Sequence, residues 1–130
     1  MPATAKIVLS IDDEPTILYL RDMVLKSAGY EVLSALSGRE GLELFDSHTV
    51  DLVLLDYYMP EMNGAEVAAE MKRRKPNVPI IIVSAYIEVP DNALALAESF
   101  VTKGEGPEVL LTRIGELLSL RALRRRTRAA

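Results

Sequence analysis

Five short apolar runs, each trailed by a segment of different rhythm, constrain this chain more than anything else in it. The runs are KIVLSI at 6–11, YEVLSAL at 30–36, VDLVLLD at 50–56, PIIIVSA at 79–85 and SFVTK at 99–103. They are short and rich in β-branched residues, and PIIIVSA and VDLVLLD are nearly continuous in apolar character, as strands covered on two faces must be. The intervening segments have helical spacing. Thr16 to Ala28 carries the apolar series Ile17, Leu20, Val24 and Ala28, with Gly29 as its stop. Ser37 and Glu40 form a capping-box pattern opening a helix through about Asp46. Ala65 to Arg74 is helical until Pro76 ends it, and a brief helix is expected over Asp91 to Ala97 with Asp91 as its N-cap. Pro107 opens the last helix, in which Leu110, Ile114, Leu117, Leu118 and Arg121 share a face. Strand and helix alternating in this way predict an α/β fold: a doubly wound, five-stranded parallel sheet with helices on both faces.

The chain has 130 residues, enough for one full hydrophobic core, and its 49% apolar and 26% charged residues suit a globular domain. No apolar run is long enough to cross a bilayer, and Asp12, Asp13 and Glu14 interrupt the N-terminal hydrophobic run too early for a signal peptide. The absence of cysteine excludes disulfides, thiolate metal sites and a cysteine nucleophile, and accords with a cytoplasmic location. Charge is unevenly spread: Arg121, Arg124, Arg125, Arg126 and Arg128 crowd the last residues, where there is no acid, whereas the rest is strongly acidic. An acidic body disfavours nucleic acid as a partner of this domain. We therefore expect a domain over residues 1–120 and an Arg-rich tail at 121–130, either the end of a helix or the start of a linker.

In open parallel sheets ligands bind beyond the carboxyl ends of the strands. Here those ends carry Asp12, Asp13, Asp56, Ser84 and Lys103. Three crowded carboxylates repel one another, and a hard divalent cation such as Mg²⁺ is the usual remedy. Lys103 offsets further charge, and Ser84 can bond a phosphoryl oxygen. The set suits phosphoryl transfer, where positioning and neutralisation do most of the catalysis.

IDDEP, LVLLDYYMPEMNG, VSA and FVTK, in that order, strongly resemble the receiver domain of two-component response regulators, a flavodoxin-like (βα)5 fold, over roughly residues 5–120. The resemblance implies that Asp56 accepts a phosphoryl group from the phosphohistidine of a histidine kinase or phosphotransfer protein. It implies Mg²⁺ held by Asp12, Asp13, Asp56 and the backbone carbonyl of Tyr58. Ser84 matches the switch hydroxyl, Lys103 the lysine that pairs with the phosphoryl group, and Phe100 the switch aromatic. A downstream target or output domain, not identified by these residues, completes the expected partners, along with a homodimer.

Singly, each residue has a plainer explanation: acids before a helix favour its dipole, a serine can simply end a strand, and a lysine near glycines is commonly solvated. His48, the sole histidine, fits a surface connection, and the Arg-rich end fits a helix terminus. Two other functions compete with the receiver: a Mg²⁺-dependent phosphohydrolase using Asp56 as transient nucleophile, and a pseudo-receiver that only binds partners. Against the family pattern, Gly104 replaces the proline that usually follows the lysine, so the Lys103–Gly104 peptide is expected to be trans and the loop mobile. The stretch from Ser84 to Lys103 is about three residues short of the family's spacing, leaving a brief fourth helix, so no particular dimer is carried over. Tyr58 and Tyr86 flank the site, where their rings are expected to slow hydrolysis of the acyl phosphate.

Overall fold

Period-two alternation sorts the residues of each apolar run onto the two faces of a sheet. The computed structural model describes residues 4–86 and 88–129. The strands are β1 (Ile7–Ile11), β2 (Glu31–Ala35), β3 (Leu52–Asp56), β4 (Ile80–Ser84) and β5 (Ser99–Thr102), all parallel, in the order β2-β1-β3-β4-β5. Between and after them run α1 (Pro15–Ser27), α2 (Gly38–Ser47), α3 (Gly64–Arg74), α4 (Asp91–Leu94) and α5 (Pro107–Ala129). Leu9, Ile11, Val53, Leu55, Ile80 and Ile82 join α2 and α3 in one buried cluster. Their alternates Val8, Leu52, Leu54, Ile81, Val83 and Val101 join Leu25 of α1 and Leu110 and Ile114 of α5 in the other. Two layers of helix thus cover one sheet, as the sequence pattern requires.

Local chemistry sets the element ends. Gly29, at φ 96°, takes the left-handed turn that closes α1. Ser37 accepts a hydrogen bond from the Glu40 amide at 3.2 Å, but the Glu40 carboxylate reaches the Leu36 amide, so only half of the expected box forms. A complete capping box stands instead at Asn63 and Glu66, starting α3 one residue earlier than Ala65.

Three expectations need correction. The covered face of α1 is Leu18, Arg21 and Leu25, not the series through Leu20, which is 54% exposed; Arg21 turns inward because it finds polar partners beneath the helix. Asp91 is the first residue of α4 rather than its cap, which is Pro90, and the helix ends at Leu94 instead of Ala97. The fifth strand stops at Thr102, leaving Lys103 just beyond it. The Arg-rich segment continues α5 as helix through residue 120 and on to Ala129.

Candidate functional site

The winding of the sheet reverses between β1 and β3, which are neighbours although β2 intervenes in sequence. At such a reversal the flanking loops diverge and leave a crevice above the strand ends. Asp12 follows β1 there, and Asp56 is the last residue of β3. Both share the parity of the side chains that face α1 and α5, as does Lys103 two residues after Val101. Carboxylate oxygens of Asp12, Asp13 and Asp56 lie within 4.8 Å of one another. Asp12 and Asp56 are buried, and Asp13 is the least covered of the three.

Asp12 is tightly held. Its amide donates to Ala35 O at 3.1 Å, and its Oδ1 accepts from the Glu14 amide at 3.0 Å. Its Oδ2 faces two cations, Lys103 Nζ at 2.8 Å and Arg21 Nη2 at 3.6 Å, as ion pairs without a well-directed hydrogen bond. The Lys103 ammonium also stands 3.4 Å from Asp56 Oδ1. Burial opposes its charge, but Asp12 and Asp56 outweigh burial and hold its pKa above the ordinary lysine value. Burial, then the charge of Asp12, push the Asp56 carboxyl up to about 6, with Lys103 pulling the other way and Asp13 adding to the rise. The site therefore carries more negative charge than its cations neutralise. That donor set, hard oxygens without imidazole or thiolate, fits a small divalent cation such as Mg²⁺.

Lys103 points inward without a following proline. Its amide donates to Ser84 O at 2.7 Å, which extends the β4–β5 ladder by one bond and aims the side chain over the sheet. No cis peptide occurs among the described residues, as expected at Lys103–Gly104. Gly64 shows why the Met-Asn-Gly turn suits this place: a Cβ there would stand 2.8 Å from Asp56 O and from Tyr57 Cα, while the Gly64 amide donates to Tyr57 O at 2.8 Å. The chain after Asp56 can fold back so closely only on glycine.

Ser84 lies on the opposite parity from Asp56, and its Oγ accepts from the Tyr86 amide at 3.2 Å. Phe100 pairs in register with Ile82 and packs, half buried, against the α2–α3 side of the core. Among the described residues, no hydrogen bond joins Ser84 to the carboxylates. Tyr58 and Tyr86 stand at the rim, 47% and 61% exposed, with ring centroids 4.9 Å apart in an edge-to-face pair. The residue that the sequence did not disclose is Arg21, buried beneath Asp12, its Nη1 donating to Ser10 Oγ at 3.2 Å. Burial lowers its pKa against the pull of Asp12 and Asp56.

With that geometry in view, the family model described as the response regulator receiver domain matches residues 8–115. The chain belongs to this family. The receiver is 38% identical over 114 residues to the transcriptional regulatory protein GlrR of Escherichia coli K12, covering 85% of this chain and 26% of GlrR. It is 36% identical over 115 residues to the response regulator SaeR of Staphylococcus aureus, covering 86% of this chain and 50% of SaeR. The chain thus spans about a quarter to a half of the curated relatives it matches. Among solved structures it resembles the response regulator TrrA of Thermotoga maritima, in complex with Mg(2+)-BeF, at a TM-score of 0.82 and 35% identity, covering 86% of this chain and 98% of that one. The α/β receiver fold and the membership of a two-component signalling family are thereby established for this chain.

Proposed function

We propose that Asp56 is the phosphoacceptor of this receiver and that Asp12, Asp13, Asp56 and the backbone carbonyl of Tyr58 hold Mg²⁺. The observation that carries the proposal is the acidic trio, two of its members buried and its oxygens within 4.8 Å, with the Lys103 ammonium reaching both Asp12 and Asp56. The ion supplies neutralisation of charge that no side chain here completes. An Asp56 oxygen attacks phosphorus, the bond to the donor's imidazole nitrogen breaks, and that nitrogen keeps the electron pair. Lys103 then follows the charge from the carboxylates to the phosphoryl oxygens. Ser84 turns from the Tyr86 amide to bond a phosphoryl oxygen, and Phe100 moves into the vacated space, changing the surface of β4, α4 and β5.

The partners proposed are a histidine kinase or phosphotransfer protein upstream and a target or output domain downstream, consistent with the longer relatives. No helix among the described residues is long and apolar enough to cross a membrane, and we place the receiver in the cytoplasm, acting in its own phosphorylation rather than on a separate substrate. The receiver proper is assigned to residues 1–120 and the Arg-rich turns of α5 to 121–130; residues 1–3, 87 and 130 lie outside the described residues. Intact mass after incubation with Mg²⁺ and a small phosphodonor tests the assignment. A persistent gain of one phosphoryl group that disappears in Asp56→Asn is expected. Turnover of phosphate esters would instead make the protein a hydrolase, and no uptake would make it a pseudo-receiver.

A further inference from the structure

The side chain of Arg21 is out of place by ordinary rules. Its position on α1 faces the sheet, where Leu18 and Leu25 on either side are buried in apolar packing. A guanidinium is costly to bury unless its charge is compensated. Here it is only 7% exposed, anchored by Ser10 Oγ at 3.2 Å and directed at Asp12 Oδ2 at 3.6 Å. Asp12 Oδ2 is also the atom that Lys103 approaches at 2.8 Å. Two cations therefore share one carboxylate oxygen, one carried by α1 and one by the segment just after β5.

We propose that Arg21 is a positioning residue of the phosphorylation site: the standing counter-charge of Asp12 when Lys103 transfers its contacts to the phosphoryl group. It acts through Asp12 and does not itself touch the phosphoryl group. Formal charges explain the need for it. The three carboxylates exceed Lys103 and Arg21 by one negative charge. A bound dication together with the additional negative charge of a phosphoryl group on Asp56 brings the whole set to neutrality. Without Arg21 the phosphorylated site would retain an excess negative charge in a covered environment. Arg21 thus favours the phosphorylated, metal-bound site over the site holding metal alone, whose dication it mildly repels. Ser10 is the second half of the device: its hydroxyl holds the guanidinium at the end of β1, where an apolar residue would leave Nη1 without a partner.

This inference rests on the phosphoacceptor assignment, and the test separates the two. Mg²⁺ affinity is measured by tyrosine fluorescence, and beryllofluoride affinity at saturating Mg²⁺, for the wild type, Arg21→Met, Arg21→Lys and Ser10→Ala, each checked for folding by circular dichroism. Arg21→Met is expected to weaken beryllofluoride binding about tenfold without weakening Mg²⁺ binding, the effect of one charge a few ångströms away in a partly covered site. Arg21→Lys should recover most of that loss, and Ser10→Ala should show a smaller loss of the same kind. Equal losses in both affinities, or no loss in either with only a lower melting temperature, would overturn the proposal and leave Arg21 a structural residue. Should Arg21→Met fail to fold, unchanged beryllofluoride affinity in Ser10→Ala together with a tenfold or greater loss in the charge-conserving Arg21→Lys would overturn it equally. A wild type that takes up no beryllofluoride would remove the phosphoacceptor assignment first, and this inference with it.

Discussion

The two ends of the sheet use the same kinds of side chain for opposite purposes. At the amino end, Asp51 Oδ2 accepts from the Ile7 amide at 2.8 Å, while Arg121 Nη1 donates to Asp51 O at 2.9 Å and stands 3.4 Å from its Oδ1. Nearby, Glu98 Oε2 accepts from the Ile80 amide at 2.7 Å, and its other oxygen pairs with Lys72, which also donates to Val78 O at 3.1 Å. Each carboxylate there satisfies a strand's first amide and has its own cation. At the carboxyl end three carboxylates crowd together, two of them buried, and two cations converge on one oxygen. One end closes the fold, and the other keeps an imbalance that a ligand can resolve. The difference lies in how donors are distributed, not in how many charged residues are present.

The sharpest way to break this comparison is to remove one acid from each end. Asp51→Ala leaves the Ile7 amide and the Arg121 guanidinium short of an acceptor in a partly buried place, which should cost about 3 kcal/mol of unfolding free energy. Chemical denaturation should show that loss, while phosphoryl uptake by the folded fraction stays unchanged. A loss below the scatter of ordinary surface substitutions would show that the amino end is not the clamp described here.

Asp56→Asn should act in the opposite direction. The Asp56 pKa, raised to about 6 in the fold, lies above its ordinary value of 3.8, so the native state holds this proton more tightly than the unfolded chain does. Metal-free protein therefore gains stability as pH falls from above 6 toward 4, and ionised Asp56 costs stability above that window. Removing the charge should stabilise the metal-free fold at pH 7.5 by roughly 1 to 2 kcal/mol once solvent screening is allowed for, with the gain vanishing near pH 4. Thermal melts of both proteins across that range, with and without Mg²⁺, check the sign. Mg²⁺ should erase most of the difference by stabilising the wild type.

The same contrast explains what could be read from the sequence. The five parallel strands, both helical layers and the meeting of Asp12, Asp13, Asp56 and Lys103 follow from the alternation of strand and helix and the strand-end rule, because each depends on local pattern plus parallel winding. Arg21 does not. Helical periodicity selects the most apolar series, and on α1 the series through Ile17, Leu20 and Val24 looks more apolar than the one containing an arginine. What turns Arg21 inward is Ser10, eleven residues earlier and on another element, so the signal is a tertiary pairing that no window on α1 contains. Asn63 and Glu66 are a different case: their capping box is local, with both partners within the letters MNGAE. The Asp91 cap failed because Pro90, fixed in an extended conformation, already supplies the turn into α4.

The rim of the site gives a smaller effect. Tyr58 and Tyr86, each two residues beyond a strand end, form an edge-to-face pair, and the prediction is that this pair narrows water's approach to Asp56. Tyr58→Asn keeps the backbone carbonyl but opens the pair, so the phosphorylated protein should lose its phosphoryl group a few times faster, which corresponds to less than about 1.4 kcal/mol in the barrier. The decay of the phosphorylated mass with time measures it. An equal or longer lifetime in the variant would mean that the rings do not shield the site.

The smallest effect, and the one that bears most directly on how the carboxyl end is built, is expected at Gly104. A Cβ at this position would meet no atom within 4 Å, and its φ is not in the left-handed region. Alanine should therefore be accommodated, and by restricting the unfolded chain it should add about 0.5 kcal/mol of stability. More telling is what should not change. Lys103 is aimed by its own amide on Ser84 O and held by Asp12 and Asp56, and Thr102 is fixed by the Glu105 carboxylate on its amide at 3.0 Å. None of those contacts uses the residue after the lysine. Gly104→Ala should thus leave the rate of phosphoryl uptake at the wild-type value even as the melting temperature rises. If uptake instead increases with the added stiffness, the orientation of Lys103 is governed by the loop, and the carboxyl end is less preorganised than its hydrogen bonds imply.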